Sequence, residues 1–252
     1  MIIDSFDDGL GMLTPEYFYE KADFKADICI CFFSHHVKEY IIEKYNPKVY
    51  TNLKGANGIF PVYRIERNGE NIIFMMLYVG PTSAELLPDL AYVFGVKHFI
   101  IFGSCGCLNK EYSKHFIIPT SSYRDEGMSY HYLAPQDYIE IKNHDLVEEA
   151  FKETSHEYVK GKVWTTSSIY RETPIQINKH LNDGCIAVDM EASAMQAVAD
   201  FNKLNYYTFF FSGDIVASDV WERGRLGGET EKNIQIPSLD IAFKIADLIK
   251  RK

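Results

Sequence analysis

Long apolar runs are missing from this 252-residue chain. The longest, Ile72–Val79, spans about eight residues, well short of the roughly 18 needed to cross a bilayer. The opening MIIDSFDDGL is acidic where a secretory signal is basic, and no longer apolar segment follows it, so no export signal is expected. Basic residues are in the minority: 26 Lys and Arg against 35 Asp and Glu leave a net charge of −9 and a pI near 5.4. That sign repels phosphate backbones and anionic lipid, which argues against nucleic acid or a membrane surface as the main partner and leaves room only for a local basic pocket. Five cysteines, an odd number, suit free thiols in a reducing compartment better than a disulfide framework, and a cytoplasmic protein is expected. Cys29/Cys31 and Cys105/Cys107 are C-x-C pairs without the C-x-x-C spacing of zinc and redox sites, and His35-His36 lacks an H-x-x-x-H partner, so no metal is expected. A Walker loop, a G-x-S-x-G elbow and a dinucleotide fingerprint are all absent, and no bound cofactor is implied. With no linker-like segment and no internal repeat, residues 1–252 read as one domain.

What the chain does contain is a series of short, nearly continuous apolar runs: Ile28–Phe33, Ile72–Val79, His98–Phe102, Phe116–Ile118, Cys185–Val188 and Tyr206–Phe211. Runs of this length suit strands buried on both faces. Helical spacing lies between them, over Val37–Tyr45, Ala84–Phe94, Asp189–Phe201 and Leu239–Ile249. Thr82 and Glu85 are spaced as a capping box for the second helix and Gly95 as its stop, while Pro88 predicts a kink or a later start. Strands alternating with helices predict an α/β domain with a central mixed sheet flanked by helices on both faces. In such folds ligands gather outside the carboxyl ends of strands.

Three strand exits carry candidate chemistry: Gly103-Ser104-Cys105-Gly106, Asp189-Met190-Glu191 and Ser212-Gly213-Asp214. The first reads as a glycine-bounded turn whose N–H groups suit an anion, and the other two bring carboxyl groups to the same end of the sheet. Taken singly, each also fits a plain turn, an acidic residue at a helix start, or a cap.

Together the segments carry a resemblance. Val188-Asp189-Met190-Glu191-Ala192-Ser193-Ala194 resembles the V-E-M-E-A/S-A signature of the nucleoside phosphorylase family, which includes uridine phosphorylase and the hexameric bacterial purine nucleoside phosphorylases. YVGPTSAELLPDLAYVFGVKHFIIFGSCGCLN, YRDEGMSYHYLAP and WTTSSIYRE are similar to further blocks of that family in the same order. The resemblance implies a single α/β domain that cleaves the N-glycosidic bond of a nucleoside with inorganic phosphate as co-substrate. It places Glu191 on the ribose 2′ and 3′ hydroxyls, Met190 against the sugar, Tyr170 in the base pocket, and Ser104, Cys105 and Gly106 at the phosphate; Arg171 and Glu172, which follow Tyr170 where the family's local pattern differs, are expected at the base's polar edge, with a solvated loop as the alternative. Asp214 is expected to assist the departing base, although an ungapped match puts Gly213 at that position.

The chain also departs from the family. Ile101 stands where phosphate-using members carry an arginine, and Phe32 and His36 stand for the glycine and arginine of their G-D-P-x-R segment. The charge then has to come from His36, Arg124, Arg171, Arg223 or Arg225, or the nucleophile is water. A nucleoside phosphorylase is expected, with a hydrolytic nucleosidase and a nucleoside-binding protein without turnover as the alternatives. The family's assemblies imply a homo-oligomer, dimer or hexamer.

Overall fold

The computed structural model describes every residue except Met1, Ala56, Asn57, 218–220, Gly228 and Lys252, and leaves the side chains of Gly55 and 229–232 undescribed. Its centre is an 11-stranded mixed sheet. Strand β1 (Ile28–Phe32) is buried at every position and lies parallel between β4 (Glu70–Met76) and β5 (His98–Cys107). Its alternate residues serve two cores. Cys29 and Cys31 pack with Leu87, Leu90, Met195 and Val198 on one face, whereas Ile28, Ile30 and Phe32 pack with Val37, Ile41, Val147 and Ile245 on the other. Covering helices on both sides explain why this strand reads as an unbroken apolar run.

The helices are α1 (His35–Tyr45), α2 (Leu86–Phe94), α3 (Ser129–Tyr132), α4 (His144–Thr154), α5 (Pro174–Asn182), α6 (Ala192–Phe201) and α7 (Glu229–Arg251). Gly95 stops α2 with φ 74°, as its position predicts. The expected capping box does not form: residues 81–85 make a separate 3-10 turn, and Glu85 bonds the Tyr132 hydroxyl at 2.7 Å instead. Pro88 therefore falls in the first turn of α2, where backbone N–H groups have no intrahelical acceptor. Helix α6 starts later than its pattern suggests, at Ala192, and α7 starts earlier, at Glu229, running through Pro237.

Several strands are longer or less apolar than their sequence suggests. β6 (Phe116–Asp125) and β10 (Asn205–Val216) extend beyond their apolar cores, and β2 (Lys48–Gly55), β3 (Gly58–Arg67), β7 (Tyr138–Glu140), β8 (Tyr158–Thr166) and β11 (Trp221–Glu222) carry no continuous run. β9 is Cys185–Asp189. Beyond β9, β8, β6 and β10 the sheet curls back so that β10 pairs in parallel with β5 along its length, closing a barrel-like ring. One edge of β5 is thus occupied by β10. Along the other edge β1 pairs as far as Phe102 and β9 begins at Gly106, so neither strand pairs with 103–105.

This split corrects the first expected site element. Gly103–Gly106 is strand, not turn, and pairs with Phe210–Asp214 of β10. The glycines serve close approach: a Cβ at Gly103 would meet Phe33 Cδ2 at 2.9 Å, and one at Gly106 would meet Val216 Cγ2 at 2.7 Å. All five cysteines are buried and free. Among the described residues no helix is long and apolar enough to cross a membrane, and no His/Cys/Asp/Glu group is arranged to hold a metal ion.

The ring is packed by stacked aromatics, with the Phe102 and Phe209 rings 5.5 Å apart and both residues buried. Phe209→Ala is expected to cost about 3–5 kcal/mol through the cavity it leaves. The measurement is a thermal melt, where about 2–4 °C per kcal/mol is expected for a chain of this size. An unchanged midpoint would show that β5 and β10 are not held by this contact.

Candidate active site

At the split in the sheet lies a cavity of about 740 Å³. Its wall includes Ser104, Cys105 and Gly106 from β5, Asp189, Met190 and Glu191 from the β9–α6 junction, Asp214 from β10, Tyr170 and Glu172 from the segment before α5, and Trp221 from β11.

The β9–α6 junction is held by Asp189. Its buried carboxylate accepts hydrogen bonds from the Thr165 hydroxyl at 2.7 Å and from the backbone N–H groups of Glu191 (2.8 Å) and Ala192 (2.6 Å). It therefore caps the start of α6 and aims Glu191 at the cavity. Glu191 Oε1 accepts from the Gly80 N–H at 2.6 Å. Gly80 sits at φ 113°, a conformation that side chains rarely adopt, so its N–H can reach the carboxyl. Burial, then the nearby Asp189 charge, pushes the Glu191 carboxyl up to about 8. Burial also raises Asp189, to about 6, against the pull of its three donors.

At another part of the wall Asp214 and Glu172 lie close enough for the Asp214 charge to act on Glu172. Gly213 bulges out of the β5–β10 ladder, so that Ser212 pairs with Cys105 and Asp214 with Gly106. The extra residue is absorbed there, and Asp214 lies on the wall while Gly213 is passed over. Asp214 Oδ2 accepts from the Trp221 indole N–H at 2.8 Å. Burial raises the Asp214 carboxyl. Burial together with the Asp214 charge raises Glu172 to about 7.

The other expected residues divide. Ser104 is exposed to the cavity and Met190 is half-buried on its wall, whereas the Cys105 thiol turns toward the Phe211 carbonyl at 3.7 Å and burial raises it. Tyr170 is 94% exposed, at the rim rather than inside a base pocket. Arg171 does not line the cavity at all; it ends the 3-10 turn 169–171 facing solvent. None of the alternative cations lines the cavity. Arg124 is buried in bonds to Ser129, Leu133, Ala134 and Gln136, His36 pairs with Glu39 on exposed α1, and Arg223 bonds the Leu226 and Gly227 carbonyls. Arg225 follows β11 and does not line the cavity; its backbone N–H bonds the Gly213 carbonyl at 2.6 Å, its charge reaches Cys107, and its buried Nη1 has no hydrogen-bond partner among the described residues. Among the described residues, the cavity wall thus holds four carboxyl groups and no Lys, Arg or His. Trp221 was not legible as a site residue, because a lone tryptophan before an E-R-G-R turn gives no local sign of what its N–H meets.

Comparison with known proteins agrees with the geometry. A profile of the Phosphorylase superfamily matches residues 27–236. The chain belongs to this superfamily. It is 28% identical over 157 residues to the DeoD-type purine nucleoside phosphorylase 1 of Shewanella oneidensis, covering 60% of this chain and 65% of that protein. The DeoD-type purine nucleoside phosphorylase of Bacillus cereus is 27% identical over 168 residues, covering 64% of this chain and 70% of the relative. Among solved structures, the AMP nucleosidase of Bacteroides thetaiotaomicron superposes with a TM-score of 0.69 at 20% identity, covering 90% of both chains. A futalosine hydrolase mutant of Helicobacter pylori gives 0.69 at 14% identity, covering 88% of this chain and 99% of that one. These superpositions establish a shared α/β fold.

The raised Glu191 carboxyl makes stability depend on pH. Its folded value of about 8 lies above the ordinary 4.5, so its contribution is full below about 4.5 and is lost as pH rises toward 8. Thermal melts of the wild type and Glu191→Gln across this window should show the wild type losing ground to the variant as pH rises. A constant difference would mean that the carboxyl ionises as freely as in water.

Proposed function

We propose that this protein removes the base from a nucleoside by hydrolysis, with Glu191 gripping the ribose 2′ and 3′ hydroxyls, Met190 against the sugar, and Glu172 and Asp214 at the leaving base. The C1′–N bond breaks with its electron pair on the base, water adds to C1′, and the base leaves with a proton. The transition state is ribosyl-cation-like, and carboxyl groups around C1′ stabilise it.

The observation that carries the choice of water is the charge of the wall. A wall without a cation gives a phosphate dianion none of the charge-assisted hydrogen bonds on which its binding ordinarily relies. The same inventory opposes a 5′-phosphate on the substrate. Phosphorolysis is the second reading, supported by the relatedness to purine nucleoside phosphorylases and by Ser104 on the wall. Under it inorganic phosphate is the co-substrate and Ser104, Cys105 and Gly106 hold it. We place the protein in the cytoplasm as a homo-oligomer, dimer or hexamer. Support for assembly comes from the N-terminal segment, where Leu10 is 93% and Met12 90% exposed.

The test incubates the protein with inosine, adenosine and uridine, with and without phosphate, and identifies the sugar released. Free ribose in both conditions is expected; ribose 1-phosphate formed only with phosphate would replace this reading with phosphorolysis. Tight binding without base release would make the protein a nucleoside-binding module. Glu191→Gln is expected to lower kcat/KM by about 10²–10³-fold, the range for losing one transition-state contact. Sizing in solution is expected to give at least twice 29.0 kDa, and a species of 29.0 kDa would overturn the assembly.

A further inference from the structure

Two carboxyl groups face the leaving base, and a single proton is wanted there. We propose that Glu172 is the acid that protonates the departing base, and that Trp221 is a positioning residue that keeps Asp214 as a hydrogen-bond acceptor. The inference rests on the cleavage reading of the site, and holds whether water or phosphate attacks.

The geometry separates the two groups. An indole N–H can only donate. At 2.8 Å from Asp214 Oδ2 it favours an oxygen that is an acceptor, which is the ionised state or the carbonyl oxygen of the acid. Trp221 pairs with Val216 where β11 runs antiparallel to β10, so the indole is anchored beside the strand two residues beyond the carboxyl it serves. Asp214 is also confined on its other side, since its Oδ1 lies 3.3 Å from where a Cβ on Gly106 would stand.

Glu172 has the opposite surroundings. Its carboxyl has no hydrogen-bond donor among the described residues, and it faces the cavity directly. Its backbone is nevertheless fixed, because the next residue, Thr173, forms a capping box with Gln176 at the start of α5. A rigidly mounted, half-buried carboxyl beside a carboxylate, and with no competing donor, holds a proton and presents it to whatever enters the cavity. The charged groups around it are Asp214 from β10 and, across the cavity, Asp189 and Glu191 from the β9–α6 junction; Asp214 is the one whose charge reaches Glu172, and Arg225 acts on Cys107 instead. Burial and the Asp214 charge raise Glu172 to about 7, consistent with a proton held near neutral pH. In the step itself the C1′–N electron pair moves to the base, a base nitrogen takes the Glu172 proton, the nucleophile adds to C1′ and gives any surplus proton to solvent, and the Glu172 carboxylate is reprotonated from solvent before the next turnover.

The experiment compares a nucleoside, whose base must be protonated, with p-nitrophenyl β-D-riboside, whose phenolate leaves without a proton. Glu172→Gln should lower nucleoside kcat/KM by 10²-fold or more and p-nitrophenyl riboside cleavage by less than tenfold, and Glu172→Asp should recover part of the loss. The alkaline limb of the nucleoside pH profile should vanish in Glu172→Gln. Trp221→Phe, which lets Asp214 compete for the proton, should lower the nucleoside plateau about tenfold and move that limb upward, with little change on the activated riboside. Equal losses on both substrates for Glu172→Gln, or the leaving-group-selective loss appearing in Asp214→Asn instead, would overturn the assignment while leaving cleavage intact. A wild type that cleaves neither compound would remove both the cleavage reading and this one.

Discussion

The buried carboxylate of Asp189 joins a strand end to a helix start, and the candidate site depends on that join. Three donors converge on it, from Thr165 and from the backbone of Glu191 and Ala192, in a region where an unpaired charge would be costly. Because its oxygens are used in this way, the chain must turn at Met190 so that Glu191 leaves the strand toward the cavity. The fixed negative charge it carries then acts on Glu191, whose own compensation is the Gly80 N–H. One structural group thus sets both the direction and the acidity of its neighbour.

The same logic of buried, mutually repelling carboxyls recurs at Glu172 and Asp214. No Lys, Arg or His lines the cavity among the described residues, so the lining favours neutral ligands, protonated acids and positive charge that develops during bond breaking. This is a different electrostatic design from one built around an anionic nucleophile. Two of the substituted family positions show how the difference arises: Ile101, in place of an arginine, is buried within β5, and Phe32, in place of a glycine, within β1, so both have joined the hydrophobic cores, while His36, in place of the second arginine, pairs with Glu39 on the exposed side of α1.

Much of the fold was legible from residue order. β1, β5, β9 and β10 announced themselves as apolar runs because helices or other strands cover both faces, and Gly95 marked the end of α2 through its left-handed backbone. Strands such as β3 and β8 did not, since only part of each is buried and arginines or lysines interrupt their apolar residues. In the site, the Asp189-Met190-Glu191 segment was legible as a motif. Arg171 was misplaced because adjacency to Glu172 says nothing about direction: in a 3-10 turn the two side chains diverge, one to solvent and one to the cavity. The glycines at 103 and 106 resembled a turn, whereas packing against Phe33 and Val216 is what excludes a side chain there.

Residue order by itself determined the α/β class, the apolar strands and the local chemistry of the Asp189–Glu191 segment, because these follow from periodicity and from groups adjacent in the chain. Tertiary structure alone decided that β10 closes onto β5, that a bulge at Gly213 turns Asp214 to the wall, and that Trp221 and Glu172 meet it there. The physical reason is that strand side chains alternate with a period of two: a single unpaired residue reverses which group faces the cavity, and whether that residue bulges is settled by packing between strands distant in sequence.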